Sequence, residues 1–171
     1  MFGSAFYKHS AIALWRLVRV YICIYQVMNG YIPHDYVCSY DMYHVLFAVD
    51  TNEDRAETLV NNVLKLPNPA EHVRVTVFHC FTDNPEGTSV GQLKSVRGVV
   101  DRLEDAGVDH TMMEASGDPV TEIVKMADEL DVDAIYISGR KKSPAGKVLF
   151  GSVTQGVALS TERPVVICGR D

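Results

Sequence analysis

The residues with the clearest capacity for chemistry lie near the end of the chain, between a short apolar run and a helix-like segment. Gly151 and Ser152 open that segment, and a loop of small and basic residues precedes them. The cations of the loop are Arg140, Lys141, Lys142 and Lys147. The first turn of a helix has unpaired N–H groups and a partial positive charge of about half a proton. Glycine at this point lets a ligand approach the backbone closely. The combination predicts a site for a phosphate group or another anion.

Apolar runs flank this loop on both sides. Residues 134–137 end at Ser138-Gly139, and Pro164 introduces a second run at 165–168. The order strand, loop, helix, strand is typical of α/β proteins that hold phosphate. The alternative is a solvated loop followed by a helix that the Ser152 hydroxyl caps. Because glycines, cations and flanking strands coincide, we favour the anion site.

Strand-like and helix-like segments alternate from residue 42 onward. Apolar runs of strand length are 43–49, 73–81, 134–137 and 165–168, and 109–115 is a weaker strand candidate with more polar content. Between them, apolar residues recur at helical spacing. The pattern predicts one α/β domain over 42–171, built as an open five-stranded parallel sheet with helices on both faces, which is a Rossmann-like architecture.

Two of the predicted strands end at polar residues that suit a binding site. Asp50 follows the first strand, and Ser138 ends the fourth. In an open doubly wound sheet, ligands bind at the carboxyl ends of strands where the winding direction reverses. If these strands are neighbours, Asp50 faces the 139–152 loop and accepts hydrogen bonds from a ribose or base, or helps to hold Mg²⁺. A turn or helix-capping role is the alternative for Asp50.

Two further polar residues near these strand ends receive structural roles. Thr51 is predicted to cap the first helix, with Asp54 completing a variant of the capping box. His79 lies near the end of the second strand, and we expect it to be a packed core residue rather than a catalyst.

Composition and missing motifs exclude several classes of protein. A formal net charge of −6 argues against a general nucleic-acid binder, which needs a basic face. The four cysteines are scattered, which indicates reduced thiols of a cytoplasmic protein rather than disulfides or zinc ligands. The histidines form no metal-binding spacing either, and neither the GxGxxG fingerprint nor the P-loop is present.

Residues 1–41 differ in composition from the rest of the chain. They hold the single tryptophan and only three of the 16 Lys and Arg residues. Arg16, Arg19 and Gln26 interrupt the apolar stretch 11–28, so we expect no stable membrane span. The stretch also lacks the uninterrupted apolar core of a signal peptide. A helix that lies in the membrane interface is an alternative that the sequence allows. Because the regular pattern begins at Met42, we favour an extension that is not a native part of the domain.

Three segments of 42–171 resemble the universal stress protein family. They are VLFAVD at the first strand, VFHC in the second, and the C-terminal stretch that contains GSVT at 151–154. In the nucleotide-binding branch of that family, Gly-x-x-Gly precedes a nine-residue spacer and a Gly-Ser or Gly-Thr pair. In this chain Ser138 and Lys141 stand at the two earlier glycine positions, and Gly139 is displaced by one.

The resemblance implies a sheet of the adenine-nucleotide α-hydrolase-like type, a homodimer paired through the last strand, and bound ATP or AMP, with or without Mg²⁺. It places Asp50 on the adenosine, with Ala48 and Cys80 lining the base. Ser138, Gly139 and Lys141 would wrap the phosphates, with Lys141 acting either as a charged ligand or as an obstruction. The site is completed by Gly151, Ser152, Val153 and Thr154.

Three functions compete at this point. The first is a nucleotide-binding regulatory or stress-response module with at most slow ATP hydrolysis, since no nucleophile–base pair is evident. The second is a nucleotide-free dimeric interaction protein whose substituted loop binds a partner or an anion. The third is an enzyme that adenylates a substrate, although no Ser/Gly-rich pyrophosphate loop follows the first strand. Nucleotide co-purifying with the protein would favour the first.

Overall fold

The computed structural model describes residues 42–83, 87–139 and 150–169, and the predictions for 1–41 lie outside these ranges. The strands are β1 (Tyr43–Ala48), β2 (Val73–Phe81), β3 (Asp109–Ser116), β4 (Ala134–Ser138) and β5 (Val165–Cys168). The helices are α1 (Glu53–Val63), α2 (Pro69–His72), α3 (Lys94–Asp105), α4 (Pro119–Glu129) and α5 (Ser152–Ser160). A short 3₁₀ turn at Val90–Gln92 precedes α3.

All five strands form one parallel sheet in the order β3-β2-β1-β4-β5. Val45 in the middle of β1 pairs with Val75 of β2 on one side and with Ala134 of β4 on the other. The chain therefore winds outward from β1 in one direction to β3, crosses back, and continues to β5. The prediction of a five-stranded Rossmann-like sheet is confirmed, and so is the condition that β1 and β4 are neighbours.

The sheet separates two hydrophobic cores because successive strand side chains point to opposite faces. Phe47 lies in the core that packs against α1 and α3, where Leu59 and Leu103 are fully buried. Leu46, the preceding residue, lies in the other core together with Ile123 of α4 and Val157 of α5. Helices thus cover both faces, as the near-continuous apolar strands required.

The helix starts differ in how their first N–H groups are satisfied. α1 is capped by Asn52, whose side chain accepts a hydrogen bond from the Arg55 N–H at 3.0 Å, so the prediction of Thr51 as the cap was wrong by one residue. α4 is capped by Asp118, which accepts from the Thr121 N–H at 2.9 Å, and Pro119 occupies the first helical position. Within the described ranges, no helix has the length and apolar character needed to cross a membrane.

Candidate functional site

A cleft of about 210 Å³ opens at the carboxyl ends of β1, β2 and β4, where the direction of winding reverses. α1 contributes its wall on one face of the sheet, while α4 and the first turn of α5 contribute the wall on the other. The predicted site residues that line it are Ala48, Asp50, Cys80, Ser138, Gly151, Ser152, Val153 and Thr154. The fold therefore brings together residues that are far apart in the sequence, at the point where such sheets bind ligands.

The two remaining predicted site residues are Lys141 and Gly139. Lys141, like the neighbouring loop cations, lies outside the described residues. Gly139 is buried, and its N–H donates to the Cys168 carbonyl at 2.8 Å. A β-carbon at this position would lie 3.3 Å from Ile167 Cγ2. Gly139 therefore extends the pairing of β4 with β5 instead of contributing to the cleft.

Two hydrogen bonds hold the Asp50 carboxylate at the mouth of the cleft. Oδ1 accepts from the Asn52 N–H at 2.9 Å, and Oδ2 accepts from Arg55 Nη1 at 2.5 Å. The turn role considered for Asp50 is thus present, yet the side chain remains 48% exposed. A carboxylate has about four acceptor positions, so this one is oriented by its neighbours and still able to accept a ligand.

Arg55 is a cleft residue that the sequence analysis missed. It lies in the first turn of α1, and side chains of a helix lean back toward its N-terminus. The guanidinium therefore reaches Asp50, five residues earlier, and joins the wall of the cleft. The available signal was a cation in the first turn of the helix that directly follows a strand ending in a carboxylate.

The N-terminus of α5 is the part of the cleft best suited to an anion. Gly151 is the N-cap residue, and no side-chain hydrogen bond caps this helix among the described residues. Ser152 is the first helical residue, so its hydroxyl does not act as the cap. The N–H groups of Ser152, Val153 and Thr154 thus open the helix without intrahelical partners. By contrast, carboxamide and carboxylate side chains cap α1 and α4.

Cys80 and His79 form the floor of the cleft at the end of β2. The Cys80 thiol donates to the Gly117 carbonyl at 3.6 Å, and burial together with the nearby Glu122 and Asp118 carboxylates raises the pKa of this thiol. It is therefore a neutral lining group rather than a nucleophile.

His79 is only 7% exposed, and its Nδ1 lies 2.7 Å from the Val49 carbonyl. Because a carbonyl only accepts, Nδ1 carries the proton in this contact. The imidazole also contacts the Phe81 ring edge-on at a centroid distance of 4.5 Å. The prediction of a packed histidine agrees with these contacts.

Metal ligands are not clustered in the described part of the chain. No group of three or more His, Cys, Asp and Glu side chains there is arranged to hold a metal ion. A cation in this cleft would have to share its coordination between Asp50 and oxygens of the ligand, as Mg²⁺ does when it binds with phosphates.

Comparison with known proteins shows which protein family this chain is similar to. The model of the universal stress protein family matches residues 42–169. A universal stress protein from Methanocaldococcus jannaschii is 35% identical over 68 residues, which cover 40% of this chain and 42% of that protein. The match thus spans less than half of the length of this relative.

Solved structures extend the likeness to about three quarters of the chain. A universal stress protein from Archaeoglobus fulgidus is 30% identical and matches with a TM-score of 0.59, covering 74% of this chain and 97% of its own. A universal stress protein structure from the same organism, in complex with dAMP, is 25% identical with a TM-score of 0.53, and the match covers 75% of this chain and 98% of that one.

Proposed function

The chain belongs to the universal stress protein family, and we propose that it is a regulatory or stress-response module that binds ATP or AMP in the cleft between β1 and β4. The observation that carries the proposal is the N-terminus of α5, which no side chain of the described residues caps and which opens into the same cleft as the Asp50 carboxylate. One end of the cleft thus suits a phosphate and the other suits a ribose or base.

The phosphate end is supported by backbone chemistry. The N–H groups of Ser152, Val153 and Thr154 point along the helix axis, whose N-terminus attracts anions. Thr154 is 4% exposed and fixes the first turn of α5 against the body of the domain. The neighbouring Ser138 is half-buried and small enough to leave room for a phosphate oxygen.

The nucleoside end is supported by the residues around Asp50. Ala48, Cys80 and Ile123 give an apolar surface on which a base can lie. The Asp50–Arg55 ion pair is well exposed, with side chains 48% and 37% accessible, and pairs of this kind contribute about 0.2–1 kcal/mol. A ribose hydroxyl or base amine can therefore compete for the carboxylate at small cost. The A. fulgidus neighbour bound to dAMP supports the adenine class of ligand.

Occupancy of the site, rather than fast turnover, is the proposed signal. In the described part of the chain, the thiol of Cys80 is held in its neutral form and His79 is engaged with Val49. Slow hydrolysis of ATP with Mg²⁺ would then depend on Asp50 and on the phosphates themselves.

We further infer a homodimer paired through β5 in the cytoplasm. Val165, Val166 and Ile167 of this edge strand are only partly buried in the single chain, and an apolar edge favours pairing with a second copy. Cys80 and Cys168 are free thiols, which suits a reducing compartment. The net charge of −6 gives no reason to expect nucleic acid as a partner.

Calorimetric titration of the whole chain with AMP and ATP, each with and without Mg²⁺, tests the proposal, and GMP serves as the matched control. We expect saturable binding of the adenine nucleotides and weaker binding of GMP. A second candidate is a nucleotide-free interaction protein, which is favoured by the hydrogen bonds that already occupy Asp50. Absence of heat and of any melting-temperature shift at millimolar nucleotide would favour that candidate.

A further inference from the structure

A second cavity adjoins the nucleotide cleft at the carboxyl ends of β1 and β2, and it has a volume of about 460 Å³. We refer to this cavity as the outer compartment. It shares Asp50, His79, Cys80 and Pro119 with the cleft, so the two spaces meet along these residues. Its volume is about twice that of the cleft, and a planar base that reached it would leave most of it open.

The outer compartment lies at the end of the cleft that is remote from the anion site. The first turn of α5, at 151–154, lines the cleft but not the outer compartment. A nucleotide whose phosphate binds that turn therefore directs its base toward Asp50 and Cys80. The edge of adenine that carries the exocyclic amine is the edge farthest from the 5′-phosphate, so this edge faces the outer compartment.

The lining of the outer compartment combines polar groups with the apolar side chains of Phe81, Leu93 and Pro119, and none of its described residues is a cation. Hydroxyl groups come from Thr51, Thr82 and Thr88, and a carboxylate comes from Asp83. Among the described residues, no Lys or Arg lines it, whereas Arg55 lines the cleft. Threonine hydroxyls and carboxylates accept hydrogen bonds, and a carboxylate also attracts a cation. The lining therefore suits a flexible group that ends in a protonated amine.

We propose that the outer compartment receives a substituent carried on the N6 amine of an adenine nucleotide, with a preference for one that ends in a positive charge. This inference rests on the proposed function, because it needs the phosphate at α5 to set the direction of the ligand. The site then recognises an N6-extended nucleotide at least as well as AMP itself, and the group beyond the base contributes to specificity.

Calorimetric titration of the full chain with two probes that carry the same aminohexyl tether at different positions of the base tests the proposal. N6-(6-aminohexyl)-AMP directs its tether away from the phosphate, whereas 8-(6-aminohexyl)amino-AMP carries a tether of the same length on the edge nearest the ribose. We expect the N6 probe to bind at least as tightly as AMP, and the C8 probe to bind at least about tenfold more weakly. An N6 probe about tenfold weaker than AMP would overturn the proposal. Equal affinities of the two probes would also overturn it, because the tether would then simply reach solvent.

Two variants test whether the tether lies in the outer compartment and whether its charge contributes to binding. Thr82→Trp fills the outer compartment from a residue that does not line the cleft, and it should weaken the N6 probe about fivefold or more while AMP is unaffected. Asp83→Asn should remove the advantage of the N6 probe over N6-hexyl-AMP, which lacks the amine. Unchanged affinity of the N6 probe in Thr82→Trp would contradict the proposal. A failure of AMP itself to bind the wild-type chain would instead refute the proposed function.

Discussion

Gly156 lies so close to Val120 that a β-carbon at position 156 would stand 2.6 Å from Val120 Cγ2. Gly156 belongs to α5 and Val120 to the first turn of α4, and the first turns of both helices line the cleft between β1 and β4. A glycine in a helix interior costs about 1 kcal/mol relative to alanine. Its presence here therefore has a packing reason, because it sets the separation between the two helices that form one wall of the site.

Gly156→Ala should weaken AMP binding without unfolding the protein. The gain in helix propensity of about 1 kcal/mol offsets part of an overpacking cost of about 1–3 kcal/mol. We expect the remaining strain to move α5 and its N–H groups away from the proposed phosphate position. Calorimetry should show an affinity loss of about fivefold or more, because small displacements of binding groups are costly.

The control for this substitution is the double variant Val120→Ala/Gly156→Ala, which removes the methyl groups that the new β-carbon would contact. We expect it to return AMP affinity to within about twofold of the wild type, since the two changes compensate each other in volume. Urea denaturation of the same variants separates binding from stability. A double variant that binds no better than Gly156→Ala would show that the contact does not position the site.

Two substitutions at Ser152 distinguish the contribution of its backbone N–H group to binding from that of its side chain. Ser152 is the first helical residue of α5, where proline is well tolerated and lacks an N–H group. Ser152→Pro should therefore keep the helix but weaken AMP binding by about tenfold or more, the loss of about 1.5–3 kcal/mol expected for a hydrogen bond to a charged group. Ser152→Ala should change affinity by less than about threefold. Calorimetry that gave the same affinity for both variants would exclude a role for this N–H group.

Asp50 and Arg55 form a pair whose two members should have different effects on binding. Asp50→Ala removes the carboxylate that we propose to contact the nucleoside, and we expect an AMP affinity at least about tenfold lower. Arg55→Ala breaks the same exposed ion pair but leaves the carboxylate in place, so binding should be retained. Both variants should lose less than about 1 kcal/mol of stability, because the pair is exposed. Equal losses of affinity would instead assign the effect to the ion pair.

The parallel five-stranded sheet was predictable from local sequence, whereas the order of its strands and details at its carboxyl edge were not. The apolar runs around Phe47, Val75 and Ile135 are too short for helices and too continuous for a half-exposed sheet, so the parallel arrangement follows from them. Asp50, Ser138 and Gly151 were expected to meet because the carboxyl ends of parallel strands share an edge. That argument also needed β1 and β4 to be neighbours, which the pairing in the structure supplies.

The errors arose where the outcome depends on three-dimensional neighbours. Thr51 and Asn52 are both good capping residues, and the choice between them is made by where the first turn of α1 begins. The sequence around Gly139 is typical of a flexible loop. In the structure, however, the Gly139 N–H donates to the carbonyl of Cys168 in β5, a strand distant in the sequence. Arg55 enters the cleft only because its side chain folds back over the helix N-terminus.

Arg163 anchors the chain where it enters β5. Its Nε and Nη2 donate to Asp128 and Asp131 at 3.0 Å each, and Nη1 donates to the Val132 carbonyl. The side chain is 17% exposed, so replacement by Met should lower the free energy of unfolding by about 1.5–3 kcal/mol. Arg163→Lys should restore only part of the lost free energy of unfolding, because an ammonium group cannot reproduce the hydrogen-bonding geometry of the planar guanidinium. Urea denaturation measures both variants.

The matched control for Arg163 is Arg74, whose guanidinium pairs with Asp109 at 2.7 Å on the surface. Both side chains of that pair are about half exposed, so Arg74→Met should cost less than about 1 kcal/mol. Similar losses for the two substitutions would mean that burial of Arg163 adds nothing to its contribution.

His44 should make stability fall as the pH is lowered. Burial, followed by the nearby Arg74, lowers the pKa of this imidazole from 6.5 despite the opposing Asp133 and Asp109 carboxylates. Its Nε2 lies 2.9 Å from Thr76 Oγ1, a contact that the neutral ring makes as either donor or acceptor. Because the folded pKa is depressed, the unfolded chain binds more protons between the two values. The contribution of His44 is therefore present above about pH 6.5 and is lost as the pH falls toward the folded value.

His44→Gln keeps a hydrogen-bonding side chain but removes this titration, so it should flatten the dependence of unfolding free energy on pH between about pH 5 and pH 7. The groups with the largest raised pKa values, Tyr136 at about 12 and Cys168 at about 11, titrate far above this window. His72→Gln, at an exposed position, controls for the loss of any histidine. Urea denaturation at pH 5, 6 and 7 should give a smaller slope for His44→Gln than for the wild type or His72→Gln. Equal slopes for all three proteins would remove His44 as the source of the acid sensitivity.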